Sequence, residues 1–186
     1  MSDFINTSDA IGDELLTAQI IDRTVTEYKD NTVTTVGASA FESCGSLITV
    51  DLPEVTSVGT GAFRGSSVVT LNLPKCETIG VNILYGNRGV TKLDFPKVTE
   101  IKIYGLQYVW NLTTLILRSK TMCTLGNASM GVSPIGKGTG YIYVPSALLE
   151  QYKTATNWST YANQFRALED YTVDGTITGE LDETKI

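Results

Sequence analysis

Three short segments with the same alternation of apolar and polar residues recur along this chain. They are Val50-Asp51-Leu52-Pro53, Leu71-Asn72-Leu73-Pro74 and Leu93-Asp94-Phe95-Pro96, and their prolines stand 21 and then 22 residues apart. A period of two is typical of a β-strand with one buried face. Because a unit this short buries its apolar face only against a neighbouring unit, the spacing predicts a solenoid of stacked coils.

The repeat extends in both directions beyond these segments. After each proline comes a second apolar segment: Val55-Thr56-Ser57-Val58-Gly59, Cys76-Glu77-Thr78-Ile79-Gly80 and Val98-Thr99-Glu100-Ile101-Lys102. Residues 27–46 form a degenerate first repeat, and residues 47–111 hold three full repeats. A fifth repeat starts at Leu112, leaves the register over 119–140, and regains the strand pattern at Tyr141-Ile142-Tyr143-Val144-Pro145.

The pattern divides the chain into four predicted regions. These are an N-terminal helical cap at 1–26, the solenoid at 27–145, a C-terminal helical cap at 146–170, and a hairpin with an acidic tail at 171–186. The caps are expected because each shows apolar residues at helical spacing, and because a bare terminal coil would expose an apolar surface. In the last region, Asp174-Gly175 between short β-branched runs is the hairpin signal.

Alternation within the strands predicts two columns of outward-facing side chains. One column is Thr49, Thr70, Lys92, Thr114 and Tyr141, and the other is Asp51, Asn72, Asp94, Ile116 and Tyr143. The columns change from polar and acidic to aromatic and apolar, so Tyr141, Tyr143 and Ile116 form a candidate contact patch. Lys92, Asp94 and Thr114 complete the set of candidate binding residues. The alternative is that terminal segments fold over these side chains and bury them.

Charge and composition exclude several classes of partner. The chain has 186 residues, a net charge of −6 and 14 basic residues that form no run, whereas nucleic-acid binding rests on clustered Lys and Arg. No apolar stretch reaches the ~18 residues of a membrane span, so no membrane insertion is expected. The start of the sequence has no signal-peptide pattern. The chain is therefore expected to stay in the cytoplasm or to leave it by a route such as lysis.

Catalytic and metal chemistry have little support in the sequence. The chain contains no histidine, which removes His-dependent triads, Cys–His dyads and His metal ligands. Cys44, Cys76 and Cys123 are far apart, and Cys76 takes a place that valine holds in the neighbouring repeats, so buried thiols are expected. The segment 170–175 resembles half of a calcium loop, but Leu181 stands where that loop needs Glu, and a plain turn is favoured. No enzyme activity, cofactor or metal is predicted.

The repeat unit itself resembles a known family. The pattern Leu-x-x-Val-x-Leu-Pro-x-Val-Thr-x-Val-Gly-x-x-Ala-Phe, from Leu47 to Phe63, is similar to the BspA-type leucine-rich repeat. The resemblance covers 27–118, and the strand at 141–145 with the segment after it is similar to the family's terminal strand and helix. It implies an α/β-type solenoid with a parallel β-sheet on one side. The family includes secreted bacterial adhesins and shorter versions encoded by bacteriophages, and it has no catalytic residues to transfer.

The resemblance implies two functions as hypotheses. A short, acidic, unsecreted version resembles the phage-encoded kind, which implies a decoration, head-fibre or tail-associated protein, made in the bacterial cytoplasm and located in the virion. Its partners would be other virion proteins or itself, and strand addition by the tail is one route. The tail candidates are Tyr171, Val173, Ile177, Leu181 and Ile186. The alternative is a bacterial recognition or adhesion module that binds a host-surface protein or a glycan through its strands.

Overall fold

Short strands in two series form the repeating part of the chain. The computed structural model describes residues 24–173 and 176–177. The first series, which we call the strand face, comprises β1 (Glu27–Lys29), β3 (Thr49–Asp51), β5 (Thr70–Asn72), β7 (Lys92–Phe95), β9 (Thr114–Leu117), β11 (Tyr141–Val144) and β12 (Phe165–Ala167). The second series comprises β2 (Thr35–Val36), β4 (Ser57–Val58), β6 (Thr78–Ile79), β8 (Glu100–Ile101) and β10 (Thr124–Leu125).

All pairings within the two series are parallel. The strand face consists of two sheets, β1-β3-β5 and β7-β9-β11-β12, and the second series forms one sheet, β2-β4-β6-β8-β10. Strands of consecutive coils pair directly, as β3 does with β5 and β4 does with β6. The predicted solenoid with a parallel sheet is confirmed. The second series adds a parallel sheet that the resemblance did not imply, built from strands of only two residues.

The alternating pattern fills the interior with one layer of side chains per coil. Register places Val50 beside Leu71 and, further along, Leu93 beside Leu115 and Leu115 beside Ile142. All five are buried. Stacking identical positions on one another gives each apolar side chain contacts above and below, which a single coil cannot supply.

Asn87 links the coils where the strand face is divided between β5 and β7. Its side chain is fully buried, and its Nδ2 donates hydrogen bonds to Ser66 O (3.0 Å) and Val68 O (2.9 Å). Its Oδ1 accepts from the backbone N–H groups of Gly89 (3.0 Å) and Val90 (2.9 Å). A buried polar side chain is tolerated when its bonding capacity is used. This one occupies a place held by Cys44, Ser66 and Val109 in other coils, so the repeat pattern did not reveal it.

The third side of each coil is a run of turns, which we call the corner side, with residues in the left-handed conformation at two recurring places. The first place is occupied by Ser39, Gly61, Asn82 and Tyr104, and the second by Ser43, Gly65, Gly86 and Tyr108, with φ between 54° and 83°. Several of these residues donate their backbone N–H to the next coil, as Gly61 does to Val81 O (2.8 Å) and Gly65 to Tyr85 O (2.8 Å). The corner side is therefore hydrogen-bonded between coils although it contains no strand.

The C-terminal region is only partly helical. It contains a 3₁₀ turn at Ser146–Leu148, the α-helix α1 (Leu149–Thr154), a 3₁₀ segment at Trp158–Gln164, and a further 3₁₀ turn at Leu168–Asp170. Between the last two lies β12, which pairs with β11 and extends the strand face by one strand. The expectation of a helical cap over 146–170 is thus corrected. The predicted cap at 1–26 lies almost wholly outside the described residues.

The predicted hairpin is present in the described part of the tail. Strand β13 (Thr172–Val173) pairs antiparallel with β14 (Thr176–Ile177). Along the chain the two strands are separated only by Asp174-Gly175, the pair on which the prediction rested. Within residues 24–173 and 176–177, no helix has the length and apolar character needed to cross a membrane.

The C-terminal region closes the solenoid by bonding to the last coil. The Tyr152 hydroxyl accepts from the Cys123 N–H (2.7 Å), and the Trp158 Nε1 donates to Cys123 O (2.7 Å). Asn157 Nδ2 donates to Leu125 O (2.7 Å), and the Tyr161 hydroxyl accepts from the Met130 N–H (3.3 Å). These backbone groups lie at or near β10, the edge strand of the sheet formed by the second series. Side chains thereby supply the bonds that a further coil would have made.

Candidate interaction surfaces

The two predicted surface columns run along the strand face in the predicted register. Thr49 lies beside Thr70, Lys92 beside Thr114, and Thr114 beside Tyr141. In the other column Asp51 lies beside Asn72, Asp94 beside Ile116, and Ile116 beside Tyr143. The structure therefore brings together the candidate residues of β7, β9 and β11, although not all of them remain accessible.

At the N-terminal end of the strand face, polar side chains of β1, β3 and β5 form a small network. The Lys29 ammonium lies 2.8 Å from the Asp51 carboxylate, and Asn72 Nδ2 donates to the same carboxylate at 2.7 Å. These two hydrogen bonds lower the pKa of Asp51 below its usual value, with Lys29 the larger cause. All three side chains lie on consecutive strands, and they satisfy one another in a solvent-accessible setting.

Ile116 is not part of an accessible surface. It was expected to face outward, but it is fully buried. It lies between Asp94 and Tyr143 in register, and each of these carries a large partner. Arg118 makes a two-point contact with Asp94 (Nε–Oδ1 and Nη2–Oδ2, both 2.8 Å), and Tyr171 packs on Tyr143. Larger side chains on both sides close over the shorter isoleucine.

A cluster of aromatic side chains with one arginine lies at the C-terminal end of the strand face. This tyrosine cluster consists of Tyr141, Tyr143, Tyr171 and Arg166. The ring centroids of Tyr141 and Tyr143 are 6.5 Å apart, and those of Tyr143 and Tyr171 are 4.8 Å apart. The Arg166 guanidinium lies 4.4 Å from the Tyr141 ring centroid. Tyr141 is 42% exposed, whereas Tyr143 is half-buried and burial raises its pKa.

The remaining predicted residues fall into two groups. Lys92 is exposed, and Thr114 and Asp94 are half-buried beside the tyrosine cluster. Of the tail candidates, Tyr171 contributes to that cluster, and Val173 and Ile177 lie in the hairpin strands. Leu181 and Ile186 lie outside the described residues. Part of the C-terminal segment thus folds over the strand face, as the alternative interpretation held, while Tyr141 stays accessible.

A second aromatic surface, on the corner side, was not predicted from the sequence. This aromatic–arginine patch consists of Arg64, Tyr85, Arg88, Tyr108 and Trp110. The ring centroids of Tyr85 and Tyr108 are 4.7 Å apart and those of Tyr108 and Trp110 are 5.6 Å apart. The Arg64 guanidinium lies over the Tyr85 ring and the Arg88 guanidinium over the Trp110 ring, each with its Cζ 5.4 Å from the centroid.

The register of the repeat explains how these residues meet. Arg64 and Tyr85 occupy the same place in consecutive coils, and Arg88 and Trp110 share another place one coil further on. Aligning the corner segments as closely as the strands would have shown both pairs. The alternating pattern gives no such signal, because the corners contain no strand.

The polar atoms of this patch are available. Within the described residues, the hydroxyls of Tyr85 and Tyr108 and the indole N–H of Trp110 have no protein hydrogen-bond partner, and Arg88 has no carboxylate partner. Arg64 has only a long contact with Glu42, 3.7 Å, between side chains that are 57% and 33% exposed. Tyrosine, tryptophan and arginine are the residue types that dominate binding hot spots. The patch is therefore suited to binding a partner.

The cysteines are placed for packing rather than reactivity. All three are buried, and burial raises the pKa of both Cys76 and Cys123 to about 12. A thiol protonated at neutral pH is a poor nucleophile and a poor metal ligand. The expectation that Cys76 replaces a core valine is confirmed by its burial beside Val55 and Val98 in the same core.

Comparison with known proteins agrees with the repeat pattern. The profile described as BspA type leucine rich repeat region matches residues 24–130 in six copies. No curated protein matches the chain. Leucine-rich repeat modules generally mediate protein–protein interactions and are typically not enzymes.

Proposed function

Because the chain belongs to the BspA-type leucine-rich repeat family, we propose that it is a non-enzymatic structural component of a larger assembly, and that this assembly is a bacteriophage particle. The observation that carries the first part is the aromatic–arginine patch, with its available hydroxyl, indole and guanidinium groups. Such a surface on a hydrogen-bonded scaffold suits protein binding, because little conformational freedom is lost when the partner docks.

The proposal that the assembly is a phage particle rests on a resemblance to other members of the family. Few repeats and an acidic composition, with a net charge of −6, resemble the short phage-encoded versions of this repeat. The solenoid would serve there as a decoration, head-fibre or tail-associated element. Its partners would be other virion proteins or further copies of itself.

Analysis of purified particles tests the proposal directly. Particles banded on a density gradient from the bacterium that carries the gene should contain this chain at a fixed ratio to the major capsid protein, as measured by quantitative mass spectrometry. The ratio should survive a wash in high salt that removes loosely bound host proteins. Particles that lack the chain would contradict the virion role and leave the family assignment untouched.

A second candidate function, a recognition or adhesion module, is favoured by one observation. Tyr141 is 42% exposed on the strand face and carries Arg166 over its ring, a combination suited to a protein ligand. Labelled chain should then sediment with the cells it recognises, and Tyr141→Ala should weaken this binding by roughly thirtyfold, the loss at a ~2 kcal/mol hot spot. Thr70→Ala, at an exposed position of the same face, is the control. Equal binding by both variants would remove the strand face from consideration.

A further inference from the structure

The aromatic–arginine patch has the chemistry to bind an acidic peptide segment, and this chain contains one. We propose that the patch of one copy binds the segment Glu180–Glu183 of a second copy, so that copies associate head to tail. The inference rests on the proposed role in an assembly and specifies which two surfaces meet.

Both arginines lie over aromatic rings of the patch. The Cζ atoms of Arg64 and Arg88 are each 5.4 Å from the ring centroids of Tyr85 and Trp110, a distance at which the ring attracts a guanidinium. A guanidinium has five N–H donors in a rigid fork that can bind a carboxylate at two points. Contact with a ring does not use these donors, so both side chains keep the groups that an acidic partner needs.

Charge on the patch is not neutralised by the rest of the described chain. Arg88 has no carboxylate partner there, and the 3.7 Å contact of Arg64 with Glu42 is a surface pair of the kind that is easily exchanged. The chain as a whole carries a net charge of −6. The patch is thus a cationic site on an acidic protein, where an acidic segment of another copy can be accommodated.

Ring geometry favours a peptide over a glycan at this site. A sugar ring stacks on a flat, open aromatic face, but the Tyr85–Tyr108 and Tyr108–Trp110 planes are tilted by 51° and 58°. Guanidinium groups already lie over the rings of Tyr85 and Trp110. An apolar side chain of a peptide can pack against tilted rings, because its contacts do not require a flat face.

Tyr108 has a left-handed backbone conformation, which is unfavourable for a residue with a side chain. Its φ is 58°, and its counterparts in other coils are Ser43, Gly65 and Gly86. A residue with a Cβ is disfavoured in this conformation, so the backbone alone favours glycine there. The tyrosine ring links Tyr85 to Trp110 in the patch, which gives it a role that glycine cannot fill.

The acidic segment matches the patch in composition. Glu180-Leu181-Asp182-Glu183 offers three carboxylates around one leucine within four residues. Carboxylates can bind Arg64 and Arg88 while the leucine contacts the tilted rings. Because the patch and the segment are different surfaces, one copy can bind a second copy and be bound by a third. The contact therefore produces open chains or closed rings, of which a dimer with exchanged segments is the smallest.

Light scattering of the full-length protein tests the proposal. At low ionic strength the average mass should rise with concentration, and added salt should lower it. The double variant Arg64→Glu/Arg88→Glu and the triple variant Glu180→Lys/Asp182→Lys/Glu183→Lys should each weaken self-association by at least tenfold. Combining all five changes reverses the charge of both surfaces and should restore it. Lys102→Glu/Lys137→Glu, at two exposed positions outside the patch, is the control with the same change in net charge as the arginine variant.

Each result decides the proposal. It stands if both reversed variants lose association, the combined variant regains it and the control keeps it. A monomer at every concentration, or association unchanged in the arginine variant, overturns it. Loss in the arginine variant without recovery in the combined variant also overturns it, because the patch would then bind something other than the acidic segment. A chain that is found in particles but fails this test keeps its proposed function and loses only this contact.

Discussion

Two aromatic clusters of similar composition differ in their exposure and in the bonding of their polar atoms. In the C-terminal cap, Tyr152, Trp158 and Phe165 have centroids 5.4–5.8 Å apart and are buried. In the aromatic–arginine patch, Tyr85, Tyr108 and Trp110 have similar spacings but are only half-buried. The hydroxyl and indole groups of the cap bind backbone groups of the last coil, whereas those of the patch have no partner among the described residues. The bonding of the polar atoms, rather than the residue types, separates a structural cluster from a candidate binding surface.

Tryptophan replacement should give the largest contrast between the clusters. Trp158→Ala should lower the free energy of unfolding by about 3–5 kcal/mol, because it removes a fully buried ring and the bond to Cys123 O. Trp110→Ala should cost under about 1 kcal/mol, since its ring is only half-buried. Urea denaturation followed by circular dichroism measures both. Similar losses for the two variants would show that the patch is part of the core.

Removing single hydroxyl groups makes the same comparison without changing the packing of the rings. Tyr152→Phe leaves the Cys123 N–H buried without a partner and should cost about 1–3 kcal/mol. Tyr85→Phe is the matched control and should be nearly neutral in stability. The comparison fails if Tyr152→Phe is also neutral in the same denaturation experiment.

The buried thiol of Cys76 should make the free energy of unfolding depend on pH, a smaller effect than the two above. Burial raises the pKa of Cys76 to about 12 in the folded chain, against about 8.5 in an unfolded chain. The stability this gives is complete below pH ~8.5, and it is lost as the pH rises toward 12. Between about pH 9.5 and 11 the wild-type protein should lose about 1.4 kcal/mol per pH unit more than Cys76→Val does.

Valine is the matched replacement at this site, because Val55 and Val98 occupy the equivalent places in the same core. Both proteins should therefore be comparably stable at pH 7. Parallel curves of unfolding free energy against pH would contradict the burial of this thiol.

The features that repeat from coil to coil were predictable from the sequence. The coil period, the inward positions such as Leu93, the register of both surface columns and the place of Cys76 all come from one rule applied to successive repeats. Such positions are predictable because each meets its own counterpart in the next coil. The hairpin in the tail was predictable for a different reason, since Asp-Gly turns are set locally.

The features that the sequence did not predict depend on neighbours that do not repeat. Ile116 is buried because Arg118 and Tyr171 are particular to the last coils, although strand alternation places it outward. β12 forms because β11 leaves an open edge beside the C-terminal segment. The aromatic–arginine patch lies in the corners, whose irregular turns carry no periodic signal.

The C-terminal cap is hydrogen-bonded to Cys123, Leu125 and Met130. These bonds also limit where a gene duplication can insert a further repeat. A duplicated repeat added after β10 would separate the cap from the backbone groups it recognises. A duplication placed between Pro53 and Pro74 would preserve them, because it adds one complete 21-residue coil between like neighbours. Growth by internal duplication is thus the tolerated route. For protein engineering, the same interval is the place to insert extra coils and so extend the surface without redesigning its end.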